Sequence, residues 1–81
     1  MLRRTTMWNK GTLNIDGTEV KYWAKVLDHK SQNYGIEGGK IIKLELRVNG
    51  ECTLNYDRGW DIEPEDEASQ LAYMALLKKF A

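Results

Sequence analysis

The apolar positions of this chain recur with two periods, first every second residue and then every third or fourth. Residues 41–48 alternate most cleanly, with Ile42, Leu44, Leu46 and Val48 on one side and Lys43, Glu45 and Arg47 on the other. That is the period of a half-buried strand. Residues 19–27 repeat it, with Val20, Tyr22, Ala24 and Val26 opposed by Lys21, Trp23 and Lys25. Residues 8–15 read as a strand before them. Residues 51–56 read as a strand after them, with Cys52, Leu54 and Tyr56 inward and Glu51, Thr53 and Asn55 outward. Asp16-Gly17 and Asn49-Gly50 are two-residue hairpin signals, because both central residues of a type I′ turn need positive φ.

The last segment changes period. Pro64 suits the first position of a helix, where its missing N–H costs nothing. Glu65, Asp66 and Glu67 then lie at the positive end of the macrodipole, and Lys78 and Lys79 at the negative end. Ala68, Ala72, Ala75 and Leu76 form a close-approach face, flanked by Tyr73 and Phe80. The expected fold is α+β: a four-stranded antiparallel meander sheet with one C-terminal helix packed on one face, ββββα. Residues 1–81 make a single domain, with a flexible N-terminus over residues 1–6.

Two segments stand outside this plan. The connection from Asp28 to Lys40 is long for a hairpin, and such loops often carry function. It contains Tyr34-Gly35-Ile36-Glu37-Gly38-Gly39-Lys40. Its glycines let backbone N–H groups approach an anion that Lys40 would neutralise. The spacing is not that of a Walker loop, and a strand follows in place of a helix. The competing reading is structural: Gly38 and Gly39 supply positive φ for re-entry into the third strand.

The second segment is Asn55-Tyr56-Asp57-Arg58-Gly59-Trp60-Asp61, between the last strand and the helix. Arg58 offers a planar fork for phosphate or carboxylate. Tyr56 and Trp60 offer rings for stacking. The structural alternative pairs Arg58 with Asp57 or Asp61, turns the chain at Gly59 and plugs the core with Trp60. Strands three and four are hairpin partners, so the glycine loop and this corner share one end of the sheet. Together Tyr34, Gly35, Gly38, Gly39, Lys40, Tyr56, Arg58 and Trp60 form a candidate pocket for a small anionic, nucleotide-like ligand.

Two surfaces give further candidates. Lys21, Trp23, Lys25, Lys43 and Arg47 share the outward sheet face, with Trp8 and Lys10 beside them. Basic residues interleaved with indoles suit single-stranded nucleic acid, charge for the backbone and rings for the bases. Such a face can equally be solvated, its tryptophans covered by lysine stems. On the helix, Leu71, Met74 and Leu77 fall away from the expected core face. They suggest a contact with a host protein or a second subunit, or a helix sunk more deeply than its pattern implies.

Composition narrows the chemistry. The chain has 81 residues, 30% of them charged, and a formal net charge of zero. Zero charge argues against strongly electrostatic, non-specific nucleic-acid binding. The zero conceals an excess of cations before residue 49 and of carboxylates after it. Cys52 is the only cysteine, so an internal disulfide and a Cys-rich zinc site are both excluded, and no metal or cofactor is expected. His29 has no assignable nucleophile, and Asp57, Asp61 and Glu63 lack the spacing of a calcium loop. The expectation is a protein that is not an enzyme. The opening residues lack the apolar region of a signal peptide, and no run is long enough to span a membrane.

Tyr34-Gly35-Ile36, Gly38-Gly39-Lys40-Ile41, Lys43-Leu44 and Tyr56 through Asp61 together resemble a family of small uncharacterised domains of Gram-positive bacteria and their phages. The resemblance spans nearly the whole chain and assigns no catalytic residues. It implies a bacterial or phage setting, a stand-alone small protein and an accessory role such as counter-defence. The lone thiol fits a reducing cytosol, so the expected location is the cytoplasm of a bacterial cell or a phage-infected host. The leading expectation is thus a non-enzymatic, oligomeric binding domain of phage or mobile-element type, with its site at the glycine loop and the Arg58/Trp60 corner. The alternatives are a module that docks on a host protein, and a single-stranded nucleic-acid binder using the Trp23 face.

Overall fold

Both hairpin signals turn the chain as their residues require. In the computed structural model, which describes residues 6–81, Asp16 and Gly17 have φ of 51° and 86°, and Asn49 and Gly50 have φ of 53° and 80°. The flexible N-terminus expected over residues 1–6 lies, apart from Thr6, outside the described residues. The first turn joins β1 (Thr6–Ile15) to β2 (Thr18–Leu27), and the second joins β3 (Ile41–Val48) to β4 (Glu51–Asp57). All neighbours are antiparallel, and the sheet order is the chain order.

The sheet has five strands where four were expected. Arg58, with φ of 57°, and Gly59 reverse the chain, and the Asp57 N–H donates to the Gly59 carbonyl at 2.9 Å. Trp60–Ile62 then pairs back on β4 as β5. Three residues are too few to show a period, which is why the sequence reads there as a connector.

Two bulges move residues between faces. Lys25 lies opposite Lys43 but Val26 lies opposite Ile41, so Ile42 is the extra residue. A bulge of this kind reverses the facing of everything beyond it. Ile41 is therefore buried in the core, and Ile42, expected inward, is only partly covered. The second bulge sets Leu46 opposite Leu54 and Arg47 opposite Cys52, skipping Thr53. Cys52 thus shares the open face with Arg47, against the inward position expected for it. Thr53, expected outward, instead accepts a hydrogen bond at 2.6 Å from the Ser69 hydroxyl on the helix.

The helix α1 (Glu67–Lys79) begins later than Pro64. Its cap is Asp66, whose carboxylate accepts from the Ser69 N–H at 2.9 Å. An aspartate in extended conformation satisfies one of the orphan amides that Pro64 cannot. Burial acts to raise the Asp66 pKa, but the hydrogen bonds from Ser69 outweigh it and hold the carboxyl below its ordinary value. Ser69, Ala72 and Leu76 point into the sheet, with Ala68, Tyr73, Leu77 and Phe80 packed around them. Ala75, expected on that face, is exposed. The core beneath is Val20, Tyr22, Ala24, Ile36, Ile41, Leu44, Leu46, Leu54 and Tyr56.

Candidate functional site

The long loop and the Tyr56–Trp60 corner do meet, and they meet through aromatic side chains. The Tyr56 hydroxyl donates to the Tyr34 carbonyl at 2.9 Å. Trp60 packs edge-on against Tyr56 and Tyr73, with ring centroids 5.1 and 5.6 Å apart. The Tyr73 hydroxyl donates to the Glu37 carboxylate at 3.0 Å. Burial first, and that bond second, raise the Tyr73 pKa far above the ordinary phenol value. Burial alone raises that of Tyr56. Trp60 is still 42% exposed, so it closes the core at the sheet edge and remains accessible.

Within the loop the glycine amides are already engaged. The Gly35 N–H donates to the Ser31 carbonyl, that of Gly38 to Gly35, and that of Gly39 to Ile36. A Cβ on Gly35 would lie 1.9 Å from the Gly39 carbonyl oxygen, so only glycine lets the two segments cross. An anion cradle needs free N–H groups, and those of Gly35, Gly38 and Gly39 serve the loop's own fold. The hollow beside Gly39 and Lys40, ≈ 200 Å³, is lined by Lys30, Ile36, Glu37, Leu77 and Phe80 and not by Arg58. Arg58 is anchored by its backbone, its N–H donating to the Ile42 carbonyl at 2.9 Å. Its exposed guanidinium lies 3.6 Å from the Asp57 carboxylate.

The larger concavity, ≈ 530 Å³, lies on the sheet face away from the helix. Trp8, Trp23, Lys43, Glu45, Arg47, Asn55 and Asp57 line it. Strand register builds this surface in rows, since directly opposed residues share a face. One row runs Trp8, Lys25, Lys43, Asp57, and the next runs Lys10, Trp23, Glu45, Asn55, Ile62. A third runs Thr12, Lys21, Arg47, Cys52. Lys21, Trp23, Lys25, Lys43 and Arg47 are thereby brought together, and Trp8 and Lys10 join them.

Charge on this face is only partly paired. Arg47 Nε donates to the Glu45 carboxylate, and Lys43 lies 3.7 Å from Asp57. The Lys25 ammonium sits 5.7 Å above the Trp8 ring, within cation–π range. Two cross-strand pairs oppose like charges directly, Lys21 with Arg47 and Lys25 with Lys43. Such pairs are destabilising in an isolated sheet. Their β2 members, Lys21 and Lys25, flank Trp23 on the open face, two residues to either side of it.

The helix stripe divides. Leu71 and Met74 are exposed at 38% and 62%, whereas Leu77, expected beside them, packs against the core. His29 is a loop residue bonded to Asp28 at 2.7 Å. Among the described residues no group of three or more His, Cys, Asp or Glu is arranged to hold a metal ion. No described helix is long and apolar enough to cross a membrane.

A short antiparallel meander covered on one face by a single helix defines the molecule as a small α+β domain. The chain belongs to a family described as a domain of unknown function (DUF7678), whose model matches residues 7–81. No curated protein and no solved structure matches it.

Proposed function

We propose that this domain is a non-enzymatic binding module that takes single-stranded nucleic acid across its open sheet face. The observation that carries the reading is the pair of like-charge contacts, Lys21 with Arg47 and Lys25 with Lys43, bracketing Trp23. A phosphate backbone crossing the strands would add to the partial relief that Glu45 and Asp57 give these pairs. Trp23 and the 60% exposed Trp8 then offer rings on which bases stack without regard to sequence. Arg47 pairs with Glu45 and Lys43 with Asp57, so Lys10, Lys21 and Lys25 supply the contacts. Such a patch on a chain of zero net charge gives modest affinity with a readable salt dependence.

Fluorescence anisotropy with labelled oligothymidine and oligouridine tests this. Three lysine–phosphate contacts predict a slope of log K against log salt of about −2 for a single strand. Trp23→Ala is expected to weaken binding roughly 5- to 150-fold, the range for one lost stacking contact. No binding at low salt, or binding indifferent to Trp23→Ala, would overturn the proposal.

A second reading keeps a small nucleotide-like anion at the Arg58 corner, and the exposure of the Arg58 guanidinium favours it. Calorimetry with mononucleotides and cyclic dinucleotides separates the two. Heat that Arg58→Ala abolishes and Trp23→Ala spares would assign the site to the corner.

A further inference from the structure

The two edges of the sheet are guarded very differently. The β5 edge is only three residues long, carries a bulge at Asp61, and runs on into Glu63 and Glu65. Shortness, a bulge and charge are the devices by which natural sheets prevent further pairing. The β1 edge has neither shortness nor a bulge, and carries one charge. It is ten residues long, its register with β2 is unbroken from Thr6 to Ile15, and Lys10 is its single charge. It contains no proline. Among the described residues no strand pairs with its outer side. An antiparallel edge strand directs every other backbone N–H and C=O outward, and a ladder this long with a single charge is a template for another strand.

We infer that β1 pairs antiparallel with β1 of a second copy of this chain, joining the two sheets into one of ten strands. The pairing stands on the edge itself and does not depend on the nucleic-acid reading. The strand's own pattern selects the register. Trp8, Lys10, Thr12 and Asn14 belong to the open face, and direct partners across a ladder share a face. A two-fold axis perpendicular to the sheet must therefore pass through a residue and not between two. Centred on Lys10, it would set two lysines against each other. Centred on Gly11, it places Lys10 beside Thr12 of the second copy and Trp8 beside Asn14, with the ladder running over residues 7–15. Gly11 itself puts no side chain at the axis, and a Cβ there would lie 2.8 Å from the Tyr22 hydroxyl. The Tyr22 ring already covers that point. Because the β5 edges are blunted, growth stops at two copies, a closed assembly. Both open faces lie on the same side, so the concavities continue into one longer platform.

Sedimentation velocity over a wide concentration range tests the inference, with hydrogen exchange on the same sample. The wild type is expected at twice the 9.4 kDa of the chain, and the amides of residues 7–15 are expected to be uniformly protected. Thr12→Lys sets a lysine against Lys10 of the second copy at a solvent-exposed position. It is expected to yield a folded single chain whose β1 amides exchange fast at alternate residues. A wild type that stays monomeric throughout would overturn the inference. So would a dimer that survives Thr12→Lys but dissociates on Met74→Glu, which would place the interface on the helix.

Discussion

The two faces of this sheet are built by the same strands and the same two-residue period, yet they have opposite chemistry. Under the helix, Val20, Tyr22, Ala24, Leu44, Leu46, Leu54 and Tyr56 are buried, and no buried side-chain polar atom among the described residues lacks a partner. On the open side, Trp8, Trp23, Lys43, Glu45, Arg47 and Asn55 surround a concavity, and like charges face each other across two strand pairs. One face is closely packed with its buried polar atoms satisfied, and the other sets like charges side by side. Local sequence choices that oppose stability with only partial compensation, here from Glu45 and Asp57, point to function more often than to error.

Mutations on the two faces should divide accordingly, and the largest effect belongs to the covered side. Leu46→Ala or Leu54→Ala, both at fully buried positions, should lower unfolding free energy by about 2–5 kcal/mol. That is a large share of what a small domain possesses, and urea denaturation would read it as a lowered midpoint. Lys21→Ala on the open side should leave stability within ~0.5 kcal/mol while weakening nucleic-acid binding. If Lys21→Ala were as damaging to folding as the core changes, the contrast between the faces would collapse.

Gly35→Ala comes next. Its Cβ would overlap the Gly39 carbonyl and approach the Ser31 carbonyl at 2.7 Å, so the loop must open. A loss of more than about 1 kcal/mol is expected, with the denaturation midpoint falling. A tolerated alanine would mean that the loop is less tightly closed than its hydrogen bonds imply.

The helix cap sharpens the contrast from the covered side. Asp66→Ala should cost about 1 kcal/mol. The Asp66 carboxyl is held below its ordinary pKa in the folded state. Its contribution is therefore complete above the unfolded-state aspartate value and is lost as pH falls through the folded value. The stability gap between wild type and Asp66→Ala should thus close in acid, and a gap that stays constant to the lowest pH would contradict that assignment. The smallest effect is expected from Arg58→Ala. An exposed ion pair 3.6 Å long contributes little, and oligonucleotide binding should not change.

Much of the scaffold is legible in the sequence because its determinants are local. Alternation over residues 19–27 and 41–48, the Asp16-Gly17 and Asn49-Gly50 turns, and the acidic-to-basic polarity of the final helix each depend on neighbours in the chain. The outward sharing of a face by Lys21, Trp23, Lys25, Lys43 and Arg47 was legible for the same reason. What the tertiary structure alone decided depends on pairing between segments distant in sequence. The bulge at Ile42 put Ile41 into the core, and the bulge at Thr53 sent Cys52 outward and Thr53 to Ser69. β5 exists only because β4 offers it a ladder. The glycine amides that resemble an anion cradle in sequence are consumed by carbonyls that the fold brings to them. A backbone donor's availability is a property of its neighbours in space, and residue type along the chain does not contain it.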